Sequence, residues 1–312
     1  MGMQSQRKNY GETLVELGKE RDDIVALEAD LGKSTMSILF QQAFPERFFE
    51  MGISEQNMAS FAAGLAITDK VPFFSTFAVF ATGRCYDQIR QSICTANLNV
   101  NICGSSAGLS DFGDGATHQS VEDIAIMRAL PNMTVLVPAD GYEATKAVRL
   151  AADIPGPVYI RVTRADVPDL TDKDDVFDLT PAVLRDGSDV VLFACGVMVS
   201  KALEAAEQLE NDGVSAKVVN VRCLKPLDDA EIVALAKGIR AVVTCEEHSV
   251  IGGLGAAVAM ALGSSEKRIE YVAIADRFGQ SAHAVGQLME HYGLEVHNIV
   301  ESAKDALRGD GE

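Results

Sequence analysis

A glutamate at position 55 follows Ser54 where the chain leaves a strand-like run and enters an amphipathic helix. Met58, Phe61, Ala62, Leu65 and Ala66 recur at helical spacing, which predicts one buried face. Ser54 suits an N-cap, and Glu55 then falls in the first turn, where a carboxylate is favoured. Taken singly this is an ordinary first-turn glutamate, whose chemistry would be to hold or deliver a proton. The segment GDGATHQSVED at 113–123 places Asp114 and His118 in an exposed turn. A histidine there can hydrogen-bond hydroxyls and shuttle protons near neutral pH, although a helix cap is the commoner use. Arg164 closes the run PVYIRVTR, and an arginine fork suits anionic oxygens.

The elements that must position these residues alternate in type. DDIVALEA, VPFFST, VNICGS, TVLVPA and PVYIRVTR read as strands, with helical periods near 54–67, 82–95, 120–130 and 141–152. Residues 165–187, rich in Asp, Pro and Thr, interrupt the pattern. Beyond them SDVVLFACG, AKVVNVRCL, AVVTCEEH and IEYVAIA read as strands, with helices near 198–211, 228–237, 253–263, 281–291 and 297–308. The prediction is α/β, with two doubly wound domains over 1–178 and 187–312 joined by a linker at 179–186.

Bulk properties exclude several classes. The 312 residues, 47% hydrophobic, suffice for two packed domains. A net charge of −18 argues against nucleic acid or an anionic membrane as partner. It leaves room for a small anionic ligand, which needs only two or three local cations. The polar start MGMQSQRKNYGETLVELGKERDD lacks the apolar stretch of a secretory signal, and no apolar window reaches the ~18 residues of a membrane span. A cytoplasmic location is the expectation. The six cysteines form no CxxC and pair with no histidine at metal-ligand spacing, so they read as small core residues. IGGLG at 251–255 lacks GxGxxG spacing and a following Walker lysine, and reads as a tight strand-to-helix turn.

Taken together, EADLGKS (28–34), GISEQNM (52–58), STFAVF (75–80), DGATHQSVEDIAIMRALPNM (114–133), PVYIRVTR (157–164), EEHSVIGGLG (246–255) and FGQS (278–281) resemble, in order, the C-terminal half of a transketolase. The resemblance implies a pyrimidine-binding domain for thiamine diphosphate followed by the family's C-terminal domain. It implies that Glu55 hydrogen-bonds the pyrimidine N1′ and so makes the cofactor's own 4′-amino group the base. Phe77 and Phe80 would wall and stack on the pyrimidine, with Asp30 near the cofactor. Asp114 and His118 would contact substrate hydroxyls. Arg164, with Ser34 and Arg7, would grip the terminal phosphate of a sugar phosphate. Gly83 stands where the family often has tyrosine.

Nothing in the sequence resembles the family's domain for Mg²⁺ and the cofactor's diphosphate. The expectation is therefore one subunit of a split transketolase, paired with an N-terminal-type, diphosphate-binding subunit in an α2β2 assembly, with no metal site of its own. Ser106 stands where the family usually has a histidine that helps hold the acceptor. That replacement implies a gap and an unusual sugar, such as a branched phosphate or a sulfonated ketose. The alternative is the β subunit of a 2-oxo-acid dehydrogenase E1 component, which shares the two-domain plan and the glutamate but has no reason to hold a sugar phosphate. A non-catalytic regulatory subunit is a third reading, and Glu55, Asp114 and His118 argue against it.

Overall fold

Continuous apolar runs become strands buried on both faces. In chain order the strands are β1 (Met3–Gln4), β2 (Ile24–Glu28), β3 (Phe48–Glu50), β4 (Val71–Phe77), β5 (Asn101–Ser105), β6 (Thr134–Leu136), β7 (Val158–Arg161), β8 (Val167–Pro168), β9 (Ala182–Arg185), β10 (Val190–Ala194), β11 (Ala216–Asn220), β12 (Cys223–Lys225), β13 (Ala241–Ser249) and β14 (Arg268–Ile274). Every residue of β2, β4, β5, β7 and β10 is buried, as expected of parallel strands covered by helices on both faces. This computed structural model describes residues 2–263 and 265–308.

The first sheet runs β12-β6-β7-β5-β4-β2-β3, and the second runs β14-β13-β10-β11-β9. Within these two sheets, among the described residues, all pairings are parallel except those of β12 with β6 and β9 with β11. Phe73 and Phe74, adjacent in β4, point to opposite sides of the first sheet and join different core clusters. On one side helix Gln6–Glu20 packs with Tyr10, Leu14 and Leu17 inward. On the other side helix Glu55–Ile67 contributes Met58, Ala59, Ala62 and Ala63, and the same cluster continues to Phe193, Val219 and Leu254. One apolar core therefore spans both sheets.

Several local expectations are revised. AKVVNVRCL is two strands, not one: β11 stays in the second sheet, while β12 crosses to the edge of the first. Part of the segment expected as linker forms the edge strand β9, and β8 pairs with β1. Arg222 binds the Val176 and Thr180 carbonyls and the Asp178 carboxylate, so this connection is tied down. The helix expected near 82–95 is a short α turn, Tyr86–Gln88, between wide π-type turns Phe80–Arg84 and Ile89–Cys94. The buried face of helix Glu55–Ile67 is rotated from the expected one. Glu55, Met58, Ala59, Ala62 and Ala63 are inside, and Phe61 is 40% exposed. The six cysteines are all buried and free. Among the described residues no helix is long and apolar enough to cross a membrane.

Candidate active site

The C-terminal ends of β2, β4, β5 and β7 gather most of the chemistry-bearing residues. This is where open α/β sheets bind ligands, and β2, flanked by β3 and β4, marks the point where the strand order reverses. Phe77 ends β4 and pairs with Ser105 at the end of β5. Helix Glu55–Ile67 starts at Ser54, whose side chain makes no cap bond, and Glu55 is turned inward.

Phe77 and Phe80 lie nearly parallel, 13° apart, with ring centroids 6.1 Å apart. His118 meets both rings edge-on, at 6.1 Å and 5.4 Å. The guanidinium of Arg84 lies 4.6 Å over the Phe80 ring. Its Nη1 donates to Glu55 Oε1 at 2.8 Å. Glu55, Phe77, Phe80 and His118 are thus brought into one group, with Arg84 as the link between carboxylate and aromatics. Sequence reasoning missed Arg84, four residues after Phe80, where a helical turn sets a cation over an aromatic ring. A Cβ on Gly83 would meet nothing within 4 Å, so the tyrosine-free wall is open there. A flat heterocycle with a protonatable nitrogen fits this set: an aromatic ledge for its face and a buried carboxylate for its edge.

The second group gathers Arg7, Arg164 and Asp111. Arg7 sits in helix Gln6–Glu20 and donates through Nη1 to the Ser34 carbonyl at 2.7 Å, so it is the main chain of Ser34 that makes the contact. Burial, and then repulsion from Arg164, hold the Arg7 guanidinium below its ordinary pKa. Arg164 lies three residues beyond the end of β7 and donates through Nη1 to both carboxylate oxygens of Asp111 at 2.9 Å. Asp111 is a second residue that sequence reasoning missed. Burial raises its carboxyl above the ordinary range, against the pull of Arg164. Asp114 is exposed and neighbours Asp111. His118 Nδ1 is 2.9 Å from Thr117 Oγ1.

Two expected residues sit differently. Asp30 is exposed, with φ 60, and its N–H donates to Glu50 at 2.9 Å; no contact among the described residues joins it to the aromatic group. Ser106 is fully buried with φ 52, and its hydroxyl has no partner.

The supporting shell is polar and buried. The Glu28 carboxylate accepts from the N–H groups of Ala29 and Leu31 and the hydroxyls of Thr35 and Ser37. Burial outweighs these four bonds and pushes Glu28 up to about 7. Between the sheets, Arg161 donates to Asp123 at 2.9 Å and sits 3.6 Å from Glu247, which accepts from the Leu109 N–H. Gly108, with φ 66, leaves the room that Glu247 needs, since a Cβ there would fall 2.1 Å from its Oε2. The Gln119 amide donates to the carbonyls of Asp111 and Gln280, holding the His118 loop against the FGQS turn. IGGLG is a strand-to-helix turn: Glu246 accepts from the N–H groups of Leu254 and Gly255, which satisfies the helix start internally.

No group of three or more His, Cys, Asp or Glu that could hold a metal ion occurs among the described residues. Residues 3–169 match the family described as "Transketolase, pyrimidine binding domain", and residues 181–299 match "Transketolase, C-terminal domain". The chain belongs to the transketolase family, which is thiamine diphosphate-dependent. It is 43% identical to a "Putative transketolase C-terminal section" of Methanocaldococcus jannaschii, over 97% of this chain and 96% of that one. It is 40% identical to a "6-deoxy-6-sulfo-D-fructose transketolase subunit" of a Clostridium species, over 96% and 93% of the two chains. Against mouse transketolase it is 38% identical and spans 48% of that protein's length. A solved structure described as "Split gene transketolase, inactive beta4 tetramer" superposes with a TM-score of 0.90 at 47% identity, covering 98% of this chain and 99% of that one.

Proposed function

We propose that this chain is the pyrimidine-binding subunit of a split transketolase that moves a two-carbon ketol unit from a ketose phosphate to an aldose acceptor. The observation that carries the reading is the buried Glu55 carboxylate beside the parallel Phe77 and Phe80 rings, with His118 edge-on to both. Thiamine diphosphate, when bound, would supply the nucleophilic carbon that ketol transfer needs. Glu55 would hold a proton at the pyrimidine N1′, so that the 4′-amino group could act as a base. Phe77 and Phe80 hold the ring and exclude water, which strengthens the Glu55 contact. His118 and Asp114 orient substrate hydroxyls, and Arg164, Arg7 and Ser34 receive the anionic tail. Asp30 lies at the rim of the same strand ends.

The diphosphate and Mg²⁺ are held mainly by a separate partner subunit, in an α2β2 assembly in the cytoplasm. Relatives that match this chain end to end and are described as a C-terminal section or as subunits support that reading. Within the chain we assign 1–178 to pyrimidine binding and 187–312 to the C-terminal unit. An unusual sugar agrees with relatives described as acting on 6-deoxy-6-sulfo-D-fructose and on apulose 4-phosphate. The test is reconstitution. The chain is mixed with a diphosphate-binding subunit, Mg²⁺ and thiamine diphosphate, then offered ketose phosphates or pyruvate with lipoamide. Ketol transfer is expected in the mixture; activity only with pyruvate would make the chain a 2-oxo-acid dehydrogenase subunit.

A further inference from the structure

Asp114, His118 and the Asp111 carboxylate that holds Arg164 all lie on one loop. Gly108 and Ser120 pair at its base, where the Gly108 N–H donates to the Ser120 carbonyl at 2.9 Å. Residues 112–114, 116 and 117 are exposed, so the middle of the loop has little apolar burial to fix it. Its position must then come from hydrogen bonds and close contacts. The loop lies in the pyrimidine-binding domain, yet the C-terminal domain grips it at both ends. At the base, Glu247 of β13 accepts from the Leu109 N–H at 3.0 Å, and the Leu109 side chain joins the core of the C-terminal domain. At the far side, the Ala282 N–H donates to the Phe112 carbonyl at 2.8 Å, and the Gln119 amide donates to the Gln280 carbonyl at 3.1 Å. A Cβ on Gly115 would meet Ser281 Oγ at 2.4 Å, and one on Gly279 would meet Gln119 Oε1 at 1.7 Å. The FGQS turn therefore rests directly on the loop.

We infer that the C-terminal domain is a clamp on this loop, with Glu247 and Gln119 as positioning residues for the groups that meet the sugar. The inference rests on the proposed roles of Asp114, His118 and Arg164. Glu247 acts through the backbone: it fixes Leu109, and the next two residues supply the contacts to Arg164, Ser110 through its Oγ at 3.1 Å and Asp111 through both carboxylate oxygens at 2.9 Å. Gln119 acts at the other end, next to His118, and its amide also donates to the Asp111 carbonyl at 3.1 Å. Burial, opposed by Arg161, raises the Glu247 carboxyl to about 7, so this place accepts an uncharged side chain near neutral pH. Glu247 Oε2 has no hydrogen-bond partner, and Arg161 keeps Asp123 at 2.9 Å. Glutamine at 247 therefore keeps the acceptor that Leu109 needs, whereas alanine removes it.

The test compares wild type with Glu247→Ala, Glu247→Gln and Gly279→Ala, the last of which displaces Gln119 and leaves the loop's own sequence untouched. Amide hydrogen exchange is measured on the full chain. Glu247→Ala and Gly279→Ala should each speed exchange over residues 108–120 by roughly tenfold or more, with helix Gln6–Glu20 as in wild type. In the mixture with a diphosphate-binding subunit, Mg²⁺ and thiamine diphosphate, kcat/KM for the ketose phosphate should fall by roughly 10 to 10². H/D exchange at C2 of the cofactor should stay near the wild-type rate, because Glu55 stands on a different element. Glu247→Gln should recover both the loop protection and most of kcat/KM. Unchanged loop exchange in Glu247→Ala and Gly279→Ala, or faster loop exchange with wild-type kcat/KM, would overturn the clamp. So would a loss in Glu247→Gln as large as in Glu247→Ala. If Glu247→Ala fails to fold, the same readouts in Gly279→Ala decide. No ketol transfer in the wild-type mixture would overturn the proposed function and this inference with it. Normal transfer in wild type and in Gly279→Ala would overturn the clamp alone.

Discussion

Arg84 Nη1 stands 2.8 Å from Glu55 Oε1 while its guanidinium covers the Phe80 ring at 4.6 Å. One side chain therefore fixes both the orientation of the buried carboxylate and one wall of the aromatic ledge. Arg84 is about half exposed, so solvent screens part of this interaction. Arg84→Ala is expected to lower kcat of the reconstituted enzyme by roughly tenfold and to weaken the apparent affinity for thiamine diphosphate. Arg84→Lys should recover only part, because an ammonium keeps the charge but loses the planar fork. Unchanged kinetics in Arg84→Ala would make the pair incidental.

A pH effect follows from Glu28. Burial raises this carboxyl from an ordinary 4.5 to about 7 in the fold. The folded chain therefore binds its proton more tightly than the unfolded chain does. The associated stability is fully present below pH 4.5 and is lost as pH rises through 7. Glu28→Gln should flatten that part of the stability curve, by an amount on the order of 3 kcal/mol between the limits. Denaturant unfolding of both proteins across this pH range checks it. Parallel curves for wild type and variant would contradict the assignment. Because Glu28 wires residues 29–37, the variant should also speed hydrogen exchange around Ser34, whose carbonyl holds Arg7.

Assembly is expected to use the outer face of helix Glu55–Ile67. Phe61 is 40% exposed, Ile53 is 77% exposed, and a side chain on Gly64 would meet nothing within 4 Å. An exposed apolar face on the helix that begins with Glu55, with a glycine that lets a second backbone approach, suits a subunit contact. Phe61→Asp and Gly64→Leu should each shift the chain toward monomer in sedimentation, with little change in thermal unfolding of the monomer. Retention of the wild-type sedimentation profile in both would move the contact elsewhere.

Much of this was legible in the sequence. Continuous apolar runs announced the parallel strands because burial on both faces leaves no polar positions to alternate. Glu55, Phe77, Phe80, Asp114, His118 and Arg164 stood out through the resemblance of their motifs, in order, to a transketolase. The helix face was misjudged because Phe61 and Leu65 outrank Ala59 and Ala63 in hydrophobicity, although Ala59 and Ala63 are the ones buried beside Met58 and Ala62. Helix Gln6–Glu20 was missed because its polar first turn hides Tyr10, Leu14 and Leu17. Arg84 and Asp111 escaped for another reason. Each matters through a partner 29 or 53 residues away, and such pairings exist only once the sheet has brought the segments together.

In the proposed function, Glu55 activates a cofactor shared with a partner subunit. This claim is tested most directly by H/D exchange at C2 of thiamine diphosphate in the Mg²⁺-loaded mixture of both subunits, comparing wild type with Glu55→Gln. Fast exchange in the wild-type mixture, with a loss on the order of 10²–10⁴ in the variant whose complex still forms, is the predicted result. Equal exchange in the two mixtures would contradict it.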